Sequence, residues 1–248
     1  MRPSAGLILL LGLLEAFGPL SMDLYMPSLP ELGRSLGASD ATAQLTMSVC
    51  MLGLGLGQLI AGPMSDRFGR KPPLIVGVIS YTVFSMACAM APSIAWLLVF
   101  RALQGIGGAA GMVITLAIAR DIFSGGQLAR MLSWLALVGA VAPVVAPVLG
   151  GQLSRFLDWR GIFWVLAGLG ALLLIAALAW LPESHPKERR TSGRVFALFT
   201  DAKVLLAHRD YRAVLLIATI GGAAFFAYLS MSSFVLQNGF GVSPPMFG

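Results

Sequence analysis

Polar residues interrupt this chain only at wide intervals. Apolar runs of about the 20 helical residues needed to cross roughly 30 Å of hydrocarbon cover 5–26, 41–63, 73–91, 94–119, 131–153, 161–181 and 211–236. They are continuous and do not alternate, so they predict helices and not barrel strands, because in lipid each backbone polar group must be satisfied inside its own segment. The pattern predicts seven spans in an all-α polytopic membrane helix bundle. Short connections join the first six, whereas 182–210 is longer and polar, with ESHPKERRTSGR followed by VFALFTDAKVLLAHRD. Three parts follow: a six-helix bundle over 1–182, a basic connection over 183–210, and a seventh helix with the start of a further half over 211–248. Within the connection Val195, Phe196, Leu198, Phe199, Val204, Leu205 and Leu206 recur at rough helical spacing beside basic residues. That spacing fits a helix along the inner membrane surface or a solvated linker helix.

Composition sharpens the class. Hydrophobic residues make up 57% and charged residues 11%, against about a quarter charged in soluble domains. The net charge of +6 points to topology and not to nucleic acid, because of where the bases sit. With the N-terminus cytoplasmic, inner connections hold Arg2, Arg67, Arg70, Lys71, Arg120, Arg130 and the bases from Lys187 to Arg212; outer ones hold only Arg34, Arg155 and Arg160. The positive-inside rule selects that orientation in a bacterial plasma membrane. The first apolar run is too long for a cleaved signal peptide, and Pro27 and Pro30 follow it. Cys50 and Cys88 fall inside spans and read as small buried apolar side chains. His185 and His208 fall in the inner connection and read as solvated loop histidines; with no ligand cluster and no nucleophile beside a base, an enzyme is not indicated.

Three motifs carry more information. Between the second and third runs stands GPMSDRFGRKPPL, residues 62–74, where Gly62 and Gly69 permit close approach and turning and Pro72 or Pro73 suits a first helical turn. A merely topogenic loop would need charge but not this spacing. The stretch resembles the signature loop of the major facilitator superfamily, Gly-x-Leu-x-Asp-Arg-x-Gly-Arg-Lys-x-x-Leu, with Met64 in place of the Leu. The resemblance implies a conformational-switch loop made of Gly62, Asp66, Arg67, Gly69, Arg70 and Lys71: Asp66 meets the positive end of a helix in the other half, and Arg70 bridges Asp66 to an acid at the inner end of span four, for which Asp121 is the candidate. In span four LLVFRALQGIGGAAG sets Arg101 in the bilayer, and with Gln104 it resembles the family motif associated with proton coupling; a structural ion pair is the competing reading. A dinucleotide fingerprint is excluded there because no strand precedes the glycines. Span five holds GAVAPVVAPVLGGQL, whose Gly139, Pro143, Pro147, Gly150 and Gly151 predict a bent hinge with a close neighbour. It resembles the antiporter motif, with Ala142 and Ala146 at two glycine positions. Pro143, and MDLYMPSLP in span one, resemble the branch named for bicyclomycin and chloramphenicol resistance (Bcr/CflA).

Two carboxylates, Glu15 and Asp23, stand inside the first run. Eight helical residues separate them by about 12 Å in depth and about 80° in azimuth. Antiparallel span four brings Arg101 to the depth of Asp23, so the expected arrangement pairs Asp23 with Arg101 in the outer half of a cavity, with Glu15 deeper and the better placed to hold a proton or meet a cationic drug; Glu15, Asp23, Arg101 and Gln104 are the expected coupling and cavity residues. The resemblance implies a proton-coupled exporter of small hydrophobic or cationic drug-like substrates, without cofactor, driven by the proton gradient and monomeric at full length. Transport of a specific metabolite on the same fold stays open, as does a truncated half without activity, since a transporter of two six-helix halves would continue beyond this sequence. A receptor or scaffold fits the short charged loop and the Gly/Pro pattern poorly.

Overall fold

The computed structural model describes residues 5–190 and 204–248. Among the described residues the elements are helices and turns, without a strand. α1 (Ala5–Glu15) and α2 (Phe17–Asp23) lead through a 3-10 turn (Met26–Ser28) into α3 (Leu29–Ser35). The long helices α4 (Asp40–Phe68), α5 (Lys71–Ala89), α6 (Ile94–Ile122), α7 (Gly125–Leu153) and α8 (Trp159–Trp180) follow. A last long helix, Arg209–Phe234, runs into a π-helical turn, Val235–Gly239, before a short helix, Pro244–Phe247. Among the described residues six helices are long and apolar enough to cross a membrane, and the bent α1–α3 unit, counted as one span, makes a seventh. Of the stretch expected along the membrane surface, Val195, Phe196, Leu198 and Phe199 lie outside the described residues, and Val204, Leu205 and Leu206 are exposed.

Three expectations change. The first span is not one helix: its halves meet at Ala16 with a bend of 44°. Pro19 has no N–H to give the carbonyl of Glu15, four residues back, and its ring crowds that carbonyl, so the break falls directly after Glu15. The second change concerns 62–68, expected in a loop but forming the last two turns of α4, with Pro63 inside the helix. Only Gly69, at φ +93°, and Arg70 turn the chain, and α5 opens with prolines in its first turn. The third is that α7 starts at Gly125, not near residue 131, so Gln127 and Arg130 lie on a helix.

Lipid tails are as apolar as leucine, so the bundle is held by close packing and buried hydrogen bonds and not by the hydrophobic effect. Glycine makes the approach possible. A Cβ on Gly105 of α6 would strike the Cys50 carbonyl of α4, and one on Gly53 would strike the Ala102 carbonyl in return. Gly77 and Gly107 play the same part between α5 and α6, and Gly170 lets α8 reach Thr82. The apolar interior of the described residues forms two large clusters, one around Leu11, Phe17, Val78, Ile114 and Leu173, the other around Leu29, Leu97, Ile162 and Phe163, and a small third of Met22, Leu54 and Ala109. Ser21, Thr46, Tyr81, Ser85, Arg101 and Gln104 are also buried and form a polar belt of the bundle.

Because backbone carbonyls cannot yield as a flexible side chain can, Gly105→Val or Gly53→Val is expected to lower stability by about 3 kcal/mol, the upper end for overpacking. Gly168→Ala, which meets open space, is expected to be neutral; thermal unfolding of the purified protein in detergent reads the difference.

Candidate functional site

Arg101 is fully buried, and a guanidinium in that position costs several kcal/mol unless its charge and N–H groups are answered. Its Nε donates to the Thr46 carbonyl of α4 at 3.2 Å and its Nη1 to Gln104 Oε1 at 2.6 Å. Its carbon Cζ stands 4.6 Å from the Tyr25 ring centroid and 5.5 Å from that of Phe163, two cation–π contacts from neighbouring rings whose own centroids are 5.2 Å apart. Tyr25 is fixed in turn by a 2.9 Å bond between its hydroxyl and that of Thr46, and Gln104 donates to Ser85 Oγ on α5. Nη2 has no hydrogen-bond partner.

The expected pairing of Asp23 with Arg101 is therefore not what the structure builds: no ion pair joins them, and Tyr25 occupies the face of the guanidinium. Tyr25, two residues beyond Asp23, makes the contact with the guanidinium that Asp23 was expected to make. Asp23 ends α2, is 1% exposed, and leaves Oδ1 without a hydrogen-bond partner. It stands in the wall of a cavity of about 430 Å³ that also takes in Met22, Met51, Gln58, Met112 and Phe226. Gly139 and Pro143 belong to the same wall; Pro143 has no N–H for the Gly139 carbonyl, which loses its helical donor. A neighbouring cavity of about 670 Å³ shares Met22 and Phe226 and adds Met47 and Met231. Glu15 is half-buried at the end of α1, its Oε2 also without a partner, and it is absent from both walls.

The hinge residues divide. α7 is continuous through Pro143 and Pro147, Gly139 faces open space, and Gly150 sits where a Cβ would overlap the Leu24 carbonyl, with Gly151 close to Pro244. Close approach thus belongs to the C-terminal end of α7 and openness to its middle. At that end Ser233 Oγ donates to the Met26 carbonyl at 2.8 Å, and Gln237 Nε2 donates to the Pro27 carbonyl at 2.8 Å. The last long helix is thereby latched onto the 3-10 turn that follows Asp23.

At the opposite end of the bundle Arg70 stands between Asp66 and Asp121: its Nη1 bonds Asp66 Oδ1 and Ser65 Oγ, and its Nε meets Asp121 Oδ2 at 2.8 Å. Arg67 is exposed beside Phe68, Lys71 Nζ donates to the Leu178 carbonyl at the end of α8, and Gly62 is in ordinary contact with Val113. Sequence reasoning missed the other half of this network. Glu183 accepts the backbone N–H groups of Arg70, Lys71 and His185 and pairs with Arg190 at 3.9 Å, while Ser184 donates to Asp121. His185, expected in solvent, is instead 9% exposed with Nδ1 4.0 Å from Asp121, because Glu183 folds 183–190 back onto the turn. The signal in the sequence was slight: an acid, Glu183, directly after the sixth span in a stretch where bases outnumber acids. Gly69 is needed twice over: its φ is positive, and a Cβ there would collide with the Glu183 carboxylate.

Burial works against ionisation of Glu183, but the three backbone N–H groups and Arg190 outweigh it and hold its carboxyl below the ordinary 4.5. A lowered folded-state value means that the stabilisation is complete above 4.5 and is lost only as pH falls through the lower value. Relative to the intrinsic rate at each pH, hydrogen exchange of the Arg70, Lys71 and His185 amides is thus expected to stay slow through pH 4.5 and to quicken only as pH falls through the lowered value. Glu183→Gln is expected to quicken it at every pH, and Gly69→Ala to do the same.

The pattern that defines the Major Facilitator Superfamily matches residues 11–248. Among curated relatives, the chain is 40% identical to YdgK of Bacillus subtilis, an uncharacterized MFS-type transporter, across 97% of this chain and 60% of that protein. It is 34% identical to a bicyclomycin resistance protein homolog of Haemophilus influenzae, across 97% of this chain and 61% of the relative. A chloramphenicol resistance protein of Pseudomonas aeruginosa is also 34% identical, across 96% and 56%. The chain thus spans about 60% of the length of these relatives. Among solved structures, a bacterial homolog of the human lysosomal transporter Spinster superposes with a TM-score of 0.78 over 97% of this chain and 55% of that one, at 19% identity. A D-xylose–proton symporter superposes at 0.67 over 98% and 63%, at 16% identity. With its motifs, its all-helical fold and a match over nearly its whole length, this multi-pass membrane chain belongs to the Major Facilitator Superfamily, a family of transporters and not of enzymes.

Proposed function

We propose that the chain is the first half, with part of the second, of a proton-coupled antiporter that exports small hydrophobic or cationic drug-like molecules across a bacterial inner membrane. In this reading 1–182 is the first bundle, 183–210 the cytoplasmic connection and 211–248 the opening of the second half. The N-terminus is cytoplasmic, the proton gradient is the energy source, and the full-length protein works as a monomer. One observation carries the proposal: a buried carboxylate, Asp23, has an unpartnered oxygen in the wall of a methionine-rich cavity. Methionine side chains are flexible and polarizable, so a wall of Met22, Met51 and Met112 adapts to apolar cargo of differing shape. Asp23 is the group that must be either protonated or paired with a cationic cargo, since an isolated carboxylate in that setting is costly. The Gly139 carbonyl, stripped of its helical donor, adds a second site of negative potential for a cation. Arg101 holds Tyr25, two residues beyond Asp23.

The drug assignment is supported by the relatives named for bicyclomycin and chloramphenicol resistance. Alternating access is assigned to two contacts that would part in turn. The outer one is the latch of Ser233 and Gln237 on the turn after Asp23; the inner one is the Arg70 network with its docked 183–190 segment.

The test is resistance in cells expressing this sequence together with any residues that follow Gly248 in its reading frame. Asp23→Asn is expected to return the inhibitory concentration of cationic and neutral drugs to that of the empty host. Arg101→Ala is expected to do the same, whereas Glu15→Gln changes which drugs are exported and leaves proton coupling intact. Full resistance in Asp23→Asn would remove Asp23 from the mechanism, and protein that drives proton-coupled uptake of one metabolite without protecting against any drug would replace the exporter reading.

A further inference from the structure

Away from the central cavities, the first turns of α7 present Gln127, Arg130, Met131 and Trp134, spaced so that they share one helix face. With Ile8 of α1 and Phe123 at the end of α6 they line a separate cavity of about 350 Å³. Its chemistry is layered along the helix axis. Gln127 and Arg130 lie within the first two turns of α7, where a span enters the membrane, and Trp134 lies a turn deeper beside the aliphatic side chains. Arg130 is exposed, no carboxylate lines the cavity, and among the described residues no ion pair engages its guanidinium. Asp121, near the end of α6, is already engaged by Arg70 and Ser184.

An amide and an unpaired guanidinium above an apolar, aromatic-edged groove match one kind of molecule in profile and sign. We propose that this groove is a binding site for an anionic phospholipid: the phosphate sits at Arg130, the polar headgroup at Gln127, and an acyl chain lies along Ile8, Met131 and Trp134. A zwitterionic lipid matches the apolar wall equally well but brings its own ammonium towards Arg130, so the discrimination rests on that one charge. The site is independent of the transport reading and needs only that the chain lies in a bilayer. Since α7 also supplies Gly139 and Pro143 to the Asp23 cavity, the lipid would bear on a helix that lines the transport path.

Trp134 is a built-in reporter. The protein is reconstituted in phosphatidylcholine vesicles that carry a minor share of brominated phosphatidylglycerol or of brominated phosphatidylcholine, and the Trp134 share of the emission is isolated by comparison with Trp134→Phe. Quenching of that share by the brominated anionic lipid is expected to exceed quenching by the brominated zwitterionic one, with a local enrichment of about fivefold for one cation. Arg130→Gln is expected to abolish the preference and Arg130→Lys to keep most of it. Equal quenching by the two lipids, a preference that survives Arg130→Gln, or a Trp134 shielded from both lipids by another part of the protein would each overturn the proposal.

Discussion

A positive charge locked inside an apolar bundle is the constraint around which this structure is arranged. Arg101 cannot reach water, and no carboxylate is spent on it. Two aromatic faces, one backbone carbonyl and one amide answer its charge. Those partners come from the first span, α4, α6 and α8, and Gln104 extends the contact to α5. Loss of the guanidinium would loosen the seating of four other elements, which is why helix packing and site geometry cannot be separated here. Tyr25, two residues beyond Asp23, is the residue of the first span that meets the guanidinium.

The ends of the bundle follow a different logic, that of contacts able to form and break. Single hydroxyl and amide donors from Ser233 and Gln237 hold the outer contact, on carbonyls of a 3-10 turn, and such neutral bonds are worth about 1 kcal/mol each. The inner network is charge-assisted and partly buried, with Arg70 serving two acids and Glu183 collecting three backbone N–H groups. Bonds of that kind are roughly twice as strong. An asymmetry of this sense makes the outer contact the easier of the two to open.

Much of the architecture could be read from the sequence because in lipid the length of an apolar run and the absence of alternation leave few alternatives to a helix. The meeting of Asp66, Arg70 and Asp121 was legible through the resemblance of 62–74 to the family's signature loop. The break after Glu15 was written in Pro19, whose missing N–H falls on that residue's carbonyl, although a pattern of apolar residues carries no trace of it. Position along the axis was legible for Asp23 and Arg101, but their azimuth was not, because it depends on which side chain wins the face of the guanidinium. The docking of Glu183 and the burial of His185 were hidden for a deeper reason. A carboxylate that accepts backbone N–H groups leaves no residue signature at the positions that donate to it.

The account's central claim is that Asp23, held away from Arg101 in the cavity wall, is the group that trades a proton for cargo. It is tested most directly by adding a cationic drug to the purified full-length protein in weakly buffered detergent solution and recording the proton released. The account predicts release from the wild type and from Glu15→Gln, and none from Asp23→Asn even at drug concentrations that still occupy the cavity. Undiminished proton release from Asp23→Asn would contradict it.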